Sequence, residues 1–332
     1  MQTRKLGSFQ VSAIGLGCMG MSHGYGTPDT LESAQALHRA LDLGCTFLDT
    51  AALYGFGANE SLIGATLRER RHEYVLASKC GMFRNAEGRR EIDGRPEVLR
   101  RTCDEALRRL QTDVIDLYYL HRVDRRVPVE ESIGALADLV HAGKVGTIGL
   151  SEVSVATLRR AHAIHPISAL QSEYSLWSRN AEIGALAACR ELGIAFVAFS
   201  PLGRGLLAGG VRAPAEFVEK DIRRNMPRFQ GANFAKNLAL LDGFAALAGE
   251  QDCTMAQLAL AWVLAQSEHV IPIPGTCRLR HVEENARAVE VELSPDTMRR
   301  LDALINQRTV SGARYDAATQ QEIGTEEFST AA

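Results

Sequence analysis

YVLASK (74–79), then PEVLRRTCDEALRRLQ (96–111), then DLYYLH (116–121) is the stretch that decides the fold. The outer two runs are short and apolar, as buried strands are. The middle one is amphipathic with a helical period. Strand, helix and strand in that order make a βαβ unit with parallel strands. The same alternation extends in both directions. Before it lie SAIGLGCM (12–19) and TFLDTA (46–51). After it come VGTIGLS (145–151), SALQSEY (168–174), IAFVAFS (194–200) and VIPIPG (270–275). Helical patterns fill the gaps at LESAQALHRALDLG (31–44), EESIGALADLVHAG (130–143) and AEIGALAACRELG (181–193). Several of them end in glycine, a helix C-terminal signal.

Eight β-then-α runs predict a (β/α)8 TIM barrel, preceded by a hairpin around Gly7–Ser8 and followed by extra C-terminal helices. Such barrels usually need about 250 residues, so residues 1–332 are expected to form a single domain. The surplus falls in a Gly- and Arg-rich loop at about 201–236 and a polar tail at about 306–332. Both are expected at or near the catalytic face.

Composition narrows the function. The chain has 46% hydrophobic and 23% charged residues, ordinary for a globular protein. A formal net charge of -3 gives no sign of a nucleic-acid partner. The seven cysteines are scattered, with no CxxC pair, so neither a disulfide framework nor a metal site is expected. MQTRKLGSF has no apolar leader core, and no stretch approaches the roughly 20 apolar residues of a membrane span. The expected setting is a reducing cytoplasm. A monomer and a small homo-oligomer both stay open.

GLGCMG (15–20) matches the dinucleotide fingerprint G-x-G-x-x-G. That fingerprint needs a helix starting within its glycines, and here the chain continues MSHGYGTPDT to about Thr30. A glycine-rich turn at a barrel mouth is the better reading, with its backbone near a ligand.

Four residues carry the chemistry: Asp49, Tyr54, Lys79 and His121. Each ends or just follows an apolar run, so a barrel gathers them at one mouth, where active sites lie. Each alone has a structural explanation. Together, a phenol, an ammonium, an imidazole and a carboxylate make a proton-transfer group. Lys79 is expected to lower the pKa of Tyr54, and Asp49 to hold Lys79 charged.

The chain resembles an aldo-keto reductase across nearly its whole length. The resemblance rests on GLGCMG, FLDTAALYG followed by NESLIG, ASK, DLYYLH, GKVGTIGLSEVS, LQSEYSLW, VAFSPLGRGLL, and IPIPGT followed by EENARAV. It implies the same barrel and the reversible NADPH-dependent reduction of a small carbonyl substrate, with NADH as the alternative cofactor. The family's catalytic tetrad falls on Asp49, Tyr54, Lys79 and His121. Ser151 and Gln171 are expected at the nicotinamide carboxamide, beside Glu152, where other branches have asparagine. Phe199 is expected to stack on the nicotinamide. Cys18, Met19, Gly20 and the Asp49 region line the same end.

By the same resemblance, Ser200, Pro201, Leu202, Gly203, Arg204 and Gly205 form the pyrophosphate loop. Gly275 and Thr276 are expected to open a helix at the adenosine end. There Arg278 or Arg280 would meet a 2′-phosphate, and Glu284 and Asn285 the adenine. Cys277 replaces a lysine of many relatives. Arg223, Arg224 and Arg228 are candidates to close over the cofactor or attract an anionic substrate, and Tyr315 to line the pocket. Three other readings compete: a Rossmann dehydrogenase on GLGCMG, a non-catalytic NADPH sensor like the potassium-channel β subunits, and a lyase using a Lys79 Schiff base.

Overall fold

In the computed structural model, residues 1–328 are described except 23, 27, 86, 88 and 214–216. Parts of the expected insertion and tail, 214–216 and 329–332, thus lie outside the described residues.

A hairpin opens the chain, β1 (Thr3–Leu6) with β2 (Phe9–Ser12), turning at Gly7, whose φ is +58°. The barrel strands are β3 (Leu16–Gly17), β4 (Phe47–Asp49), β5 (Val75–Cys80), β8 (Ile115–Leu120), β9 (Val145–Ser151), β10 (Ile167–Glu173), β11 (Ala195–Phe199) and β12 (Val270–Ile273). All eight are parallel, in the order β12-β11-β10-β9-β8-β5-β4-β3. Each lies within a few residues of its predicted run. Between β5 and β8 sits an antiparallel pair that the sequence reading missed, β6 (Met82–Arg84) with β7 (Arg90–Ile92). Two strands of three residues each are too short to give a periodic signal.

The ring closes where GLGCMG begins. Gly15 N–H donates to the Pro272 carbonyl at 2.9 Å and Gly17 N–H to that of Pro274 at 3.1 Å. A Cβ on Gly17 would lie 2.9 Å from the Ile273 carbonyl oxygen. These glycines let the first and last strands meet. A 3-10 turn spans Met19–Met21, and the first α-helix starts only at Thr30, capped by Asp29. The Rossmann reading is excluded by this topology.

The outer helices follow from their patterns. Pro96–Leu110, Val129–His141 and Thr30–Asp42 match their predicted stretches within two residues. The predicted helix 181–193 is instead a 3-10 turn, Asn180–Ile183, and a helix, Ala185–Leu192, because Gly184 between them is not helical (φ −169°, ψ −30°). Gly231–Glu250, Met255–Ala265, Leu279–Ala286 and Pro295–Leu304 complete the shell. Among the described residues no helix is long and apolar enough to cross a membrane.

Period two inside the barrel positions the site. Phe47, Ala77, Leu117, Tyr119, Ala169, Val197 and Ile271 form one buried cluster, and Leu6 and Val11 of the hairpin belong to its base. Alternate residues of a strand share a face. Asp49 therefore stands above Phe47, Lys79 above Ala77, and Gln171 above Ala169. An apolar plug below carries a polar layer at the C-terminal mouth.

Candidate active site

Lys79 is fully buried and holds the layer together. Its Nζ bonds Asp49 Oδ1, donates to the Thr50 carbonyl at 2.8 Å, and reaches Tyr54 Oη at 3.3 Å. Gln171 Nε2 donates to Asp49 Oδ2 at 2.7 Å. Asp49 thus has both oxygens engaged, and Lys79 is fixed by three acceptors. Tyr54 comes from a turn after β4, packed among Ala51, Leu53 and Met82. His121 follows β8 directly. The Tyr54 and His121 rings meet edge-on, 5.9 Å apart at 87°. Tyr54 is 9% and His121 7% exposed, and His121 Nδ1 is buried without a partner. The four predicted residues therefore converge.

Their protonation follows from burial and charge. Burial alone depresses the Lys79 ammonium, but Asp49 and then Tyr54 more than restore it, so Lys79 stays charged. A charged, ion-paired lysine is no amine nucleophile, which argues against Schiff-base chemistry. Burial raises the Asp49 carboxyl, and the Lys79 charge opposes that rise. For Tyr54 the outcome corrects the sequence expectation. Burial pushes the phenol up, Lys79 pulls it down, and the net lies above the ordinary value. Exclusion of water outweighs the nearby cation, so the phenol keeps its proton. His121 is driven well below its ordinary value by burial, then by Arg122, Lys79 and Arg90. A neutral imidazole and a protonated phenol can both donate to one oxygen.

The family model for the Aldo/keto reductase family matches residues 13–306. The chain is 45% identical over 328 residues to "Aldo-keto reductase yakc [NADP(+)]" of Schizosaccharomyces pombe, covering 97% of this chain and 96% of that protein. It belongs to the aldo/keto reductase family. Among solved structures, it is similar to the glycerol dehydrogenase AKR11B4 from Gluconobacter oxydans, at a TM-score of 0.84 and 29% identity, covering 91% of this chain and 94% of the other. It is also similar to an aldo/keto reductase from Klebsiella pneumoniae in complex with NADP and acetate, at a TM-score of 0.71 and 28% identity, covering 95% and 98%.

In this aldo/keto reductase the remaining candidates divide. Ser151 and Gln171 are buried beside the tetrad, on paired positions of β9 and β10. Ser151 Oγ accepts from Arg122 Nη1 at 3.3 Å, which leaves its proton free to be donated. Phe199 sits half-buried on top of the interior apolar cluster. Cys18 is buried with its N–H on the Asp49 carbonyl at 2.9 Å, and Met19 and Gly20 form a half-buried turn beside it. Ser200, Gly203, Arg204 and Gly205 all have positive φ, a tight loop after β11 into which Pro201 and Leu202 fit. Thr276 is nearly buried, and Asn285 is buried. Gly275 and Thr276 do not open a helix. Gly275 instead bridges to Gly17, and the helix starts at Leu279. Arg278 and Arg280 are exposed at that start, and neither forms an ion pair among the described residues. Glu284 is half-buried on the same helix, its carbonyl held by Gln257.

Several residues are used otherwise than expected. Glu152 turns away from the tetrad: Oε1 accepts the Glu173 N–H at 2.8 Å and Oε2 pairs with Arg314. Its carbonyl accepts Gly324 N–H at 2.8 Å. Arg204 donates to Glu173 at 2.8 Å and to Tyr315 Oη at 2.9 Å. Tyr315 is buried in that contact rather than lining the tetrad's pocket. Arg223 is clamped on Asp221, Arg224 on the Phe217 carbonyl, and Arg228 on Trp177, Ser178 and Gly312. The tail is therefore built into the C-terminal face. Sequence reading missed Glu173, though it lies two residues past Gln171 on one face of a strand. It also missed Arg122, next to His121.

Proposed function

We propose that this oxidoreductase reduces aldehydes or ketones to alcohols with NADPH, using Tyr54 as proton donor on a single (β/α)8 unit. The carrying observation is the Lys79 contact to Tyr54 Oη at 3.3 Å, with Lys79 itself held by Asp49. The cofactor fits the residues present. Phe199 offers a ring face at the mouth, and Ser151 and Gln171 offer polar groups beside it. The positive-φ loop at 200–205 permits close backbone approach. Arg278 and Arg280 are cations without carboxylate partners at a helix start, suited to a 2′-phosphate. When bound, NADPH supplies the hydride.

The chain's own residues do the rest. His121, neutral, orients the carbonyl oxygen by a hydrogen bond. Tyr54 gives its proton to that oxygen as negative charge develops on it. Lys79 then stabilises the phenolate left behind, and Asp49 keeps the ammonium in place. The raised phenol pKa suits an acid, because it is loaded with its proton across the physiological range. In the reverse direction the same phenolate accepts the alcohol proton.

A panel of aldehydes, ketones and alcohols with NADPH and NADH, followed by nicotinamide absorbance, tests this. Steady turnover with NADPH is expected. Tight NADPH retention with negligible turnover across the panel would favour a sensor and overturn the enzyme reading.

A further inference from the structure

Beside the tetrad, Arg122 carries a charge that nothing in the chain answers. Its Nη1 is used internally, donating to the His121 carbonyl at 2.7 Å and to Ser151 Oγ at 3.3 Å. Its Nε is buried without a partner. Its Nη2 forms no hydrogen bond among the described residues and is not a buried atom. No carboxylate pairs with it among the described residues, although most arginines of this chain are paired. The neighbouring charges cancel elsewhere, Lys79 against Asp49 and Arg90 against Glu322. The charges bearing on the neutral His121, those of Arg122, Lys79 and Arg90, are all positive. Arg122 also acts on Tyr54. Its bonds to the His121 carbonyl and to Ser151 place the guanidinium at the ends of β8 and β9, where the tetrad lies.

Nη2 is the donor that this guanidinium leaves accessible, and it can give a carboxylate a charge-assisted hydrogen bond. From this we propose that the substrate is a carbonyl compound bearing a carboxylate, which Arg122 holds through Nη2 while Tyr54 and His121 address the carbonyl. The inference rests on the carbonyl-reduction reading above. One uncompensated positive charge matches a monoanionic carboxylate better than a phosphate dianion. Of the arginines first singled out in the sequence for an anionic substrate, Arg223 is clamped on Asp221 and Arg228 on Trp177 and Ser178.

The test compares succinic semialdehyde, its methyl ester and glyceraldehyde phosphate as substrates with NADPH. The acid is expected to exceed the ester in kcat/KM by about tenfold or more, mostly through KM, the worth of a charge-assisted hydrogen bond. That ratio should fall close to one in Arg122→Met and recover in part in Arg122→Lys. Both substrates are measured on one sample, so loss of folded protein cancels from the ratio. Calorimetric titration with succinate gives an independent readout, with binding in the parent protein lost in Arg122→Met. Equal use of acid and ester, or an acid advantage that survives Arg122→Met, overturns the proposal. So does an equal loss on both substrates, which would mark Arg122 as a positioning residue for Ser151. Preference for the phosphate overturns the carboxylate assignment. If no aldehyde is reduced, the reduction reading has failed, while succinate binding still judges Arg122.

Discussion

Two buried charge clusters sit at the same end of this barrel, and they use their charges differently. Around Lys79, an ion pair is surrounded by donors with capacity to spare: the Tyr54 hydroxyl, His121 Nδ1 and Arg122 Nε. Around Glu173, the carboxylates are saturated by Ser178, Arg204, Tyr315 and Arg314. Both clusters are desolvated, and both shift the titration of their members. Buried charge alone therefore does not mark an active site. The distinguishing feature is what the charges hold: Lys79 reaches a phenol that meets an imidazole edge-on at the barrel mouth. In the second cluster the charges tie the tail, through Arg314 and Tyr315, to β10 and to the neighbouring loops.

The sharpest way to break this contrast is to remove one cation from each. Lys79→Met leaves Asp49 buried and unpaired, which should cost about 3–5 kcal/mol in urea unfolding. It should also lower reduction by on the order of a hundredfold or more, since proton transfer loses its support. Arg314→Met leaves Glu152 unpaired at a comparable cost of about 3 kcal/mol, while kcat of the folded fraction keeps its order of magnitude. If Arg314→Met reduced turnover as much as Lys79→Met, the two clusters would not be functionally distinct.

Acid should reach the second cluster through Glu173. Burial raises its carboxyl, but Arg204, Arg314 and Arg228 pull it down, to about 2 in the folded protein. A folded value below the unfolded one adds stability above the ordinary 4.5, and that stability is lost as pH falls toward 2. The contribution is on the order of 3 kcal/mol. Unfolding free energy measured between pH 5 and 2 should fall more steeply in the parent than in Glu173→Gln.

The smallest effect concerns the glycines that mimic a nucleotide fingerprint. Gly17→Ala forces a methyl against the Ile273 carbonyl oxygen. It should cost about 1–3 kcal/mol of stability, with the fold retained.

Most of the barrel was legible in the sequence, because buried parallel strands read as apolar runs and the helices carry their own period. The tetrad was legible for the same reason, since Lys79 and His121 are polar interruptions at strand ends. The missing parts depend on three-dimensional partners. Glu152 reads as a neighbour of Ser151, yet its left-handed backbone (φ +54°) accompanies a turn toward Arg314, 162 residues away. Arg204 reads as a residue of the phosphate loop, and its contacts to Glu173 and Tyr315, 31 and 111 residues away, show in no local pattern. The upward shift of Tyr54 needed its burial, which no spacing shows.

The central claim is that Tyr54 gives the proton. Tyr54→Phe removes one oxygen and keeps the ring that packs on His121. NADPH affinity by fluorescence titration should stay within about threefold, while single-turnover reduction of a reactive aldehyde falls by about 10²–10⁴. Unchanged turnover in Tyr54→Phe with cofactor bound would contradict the account.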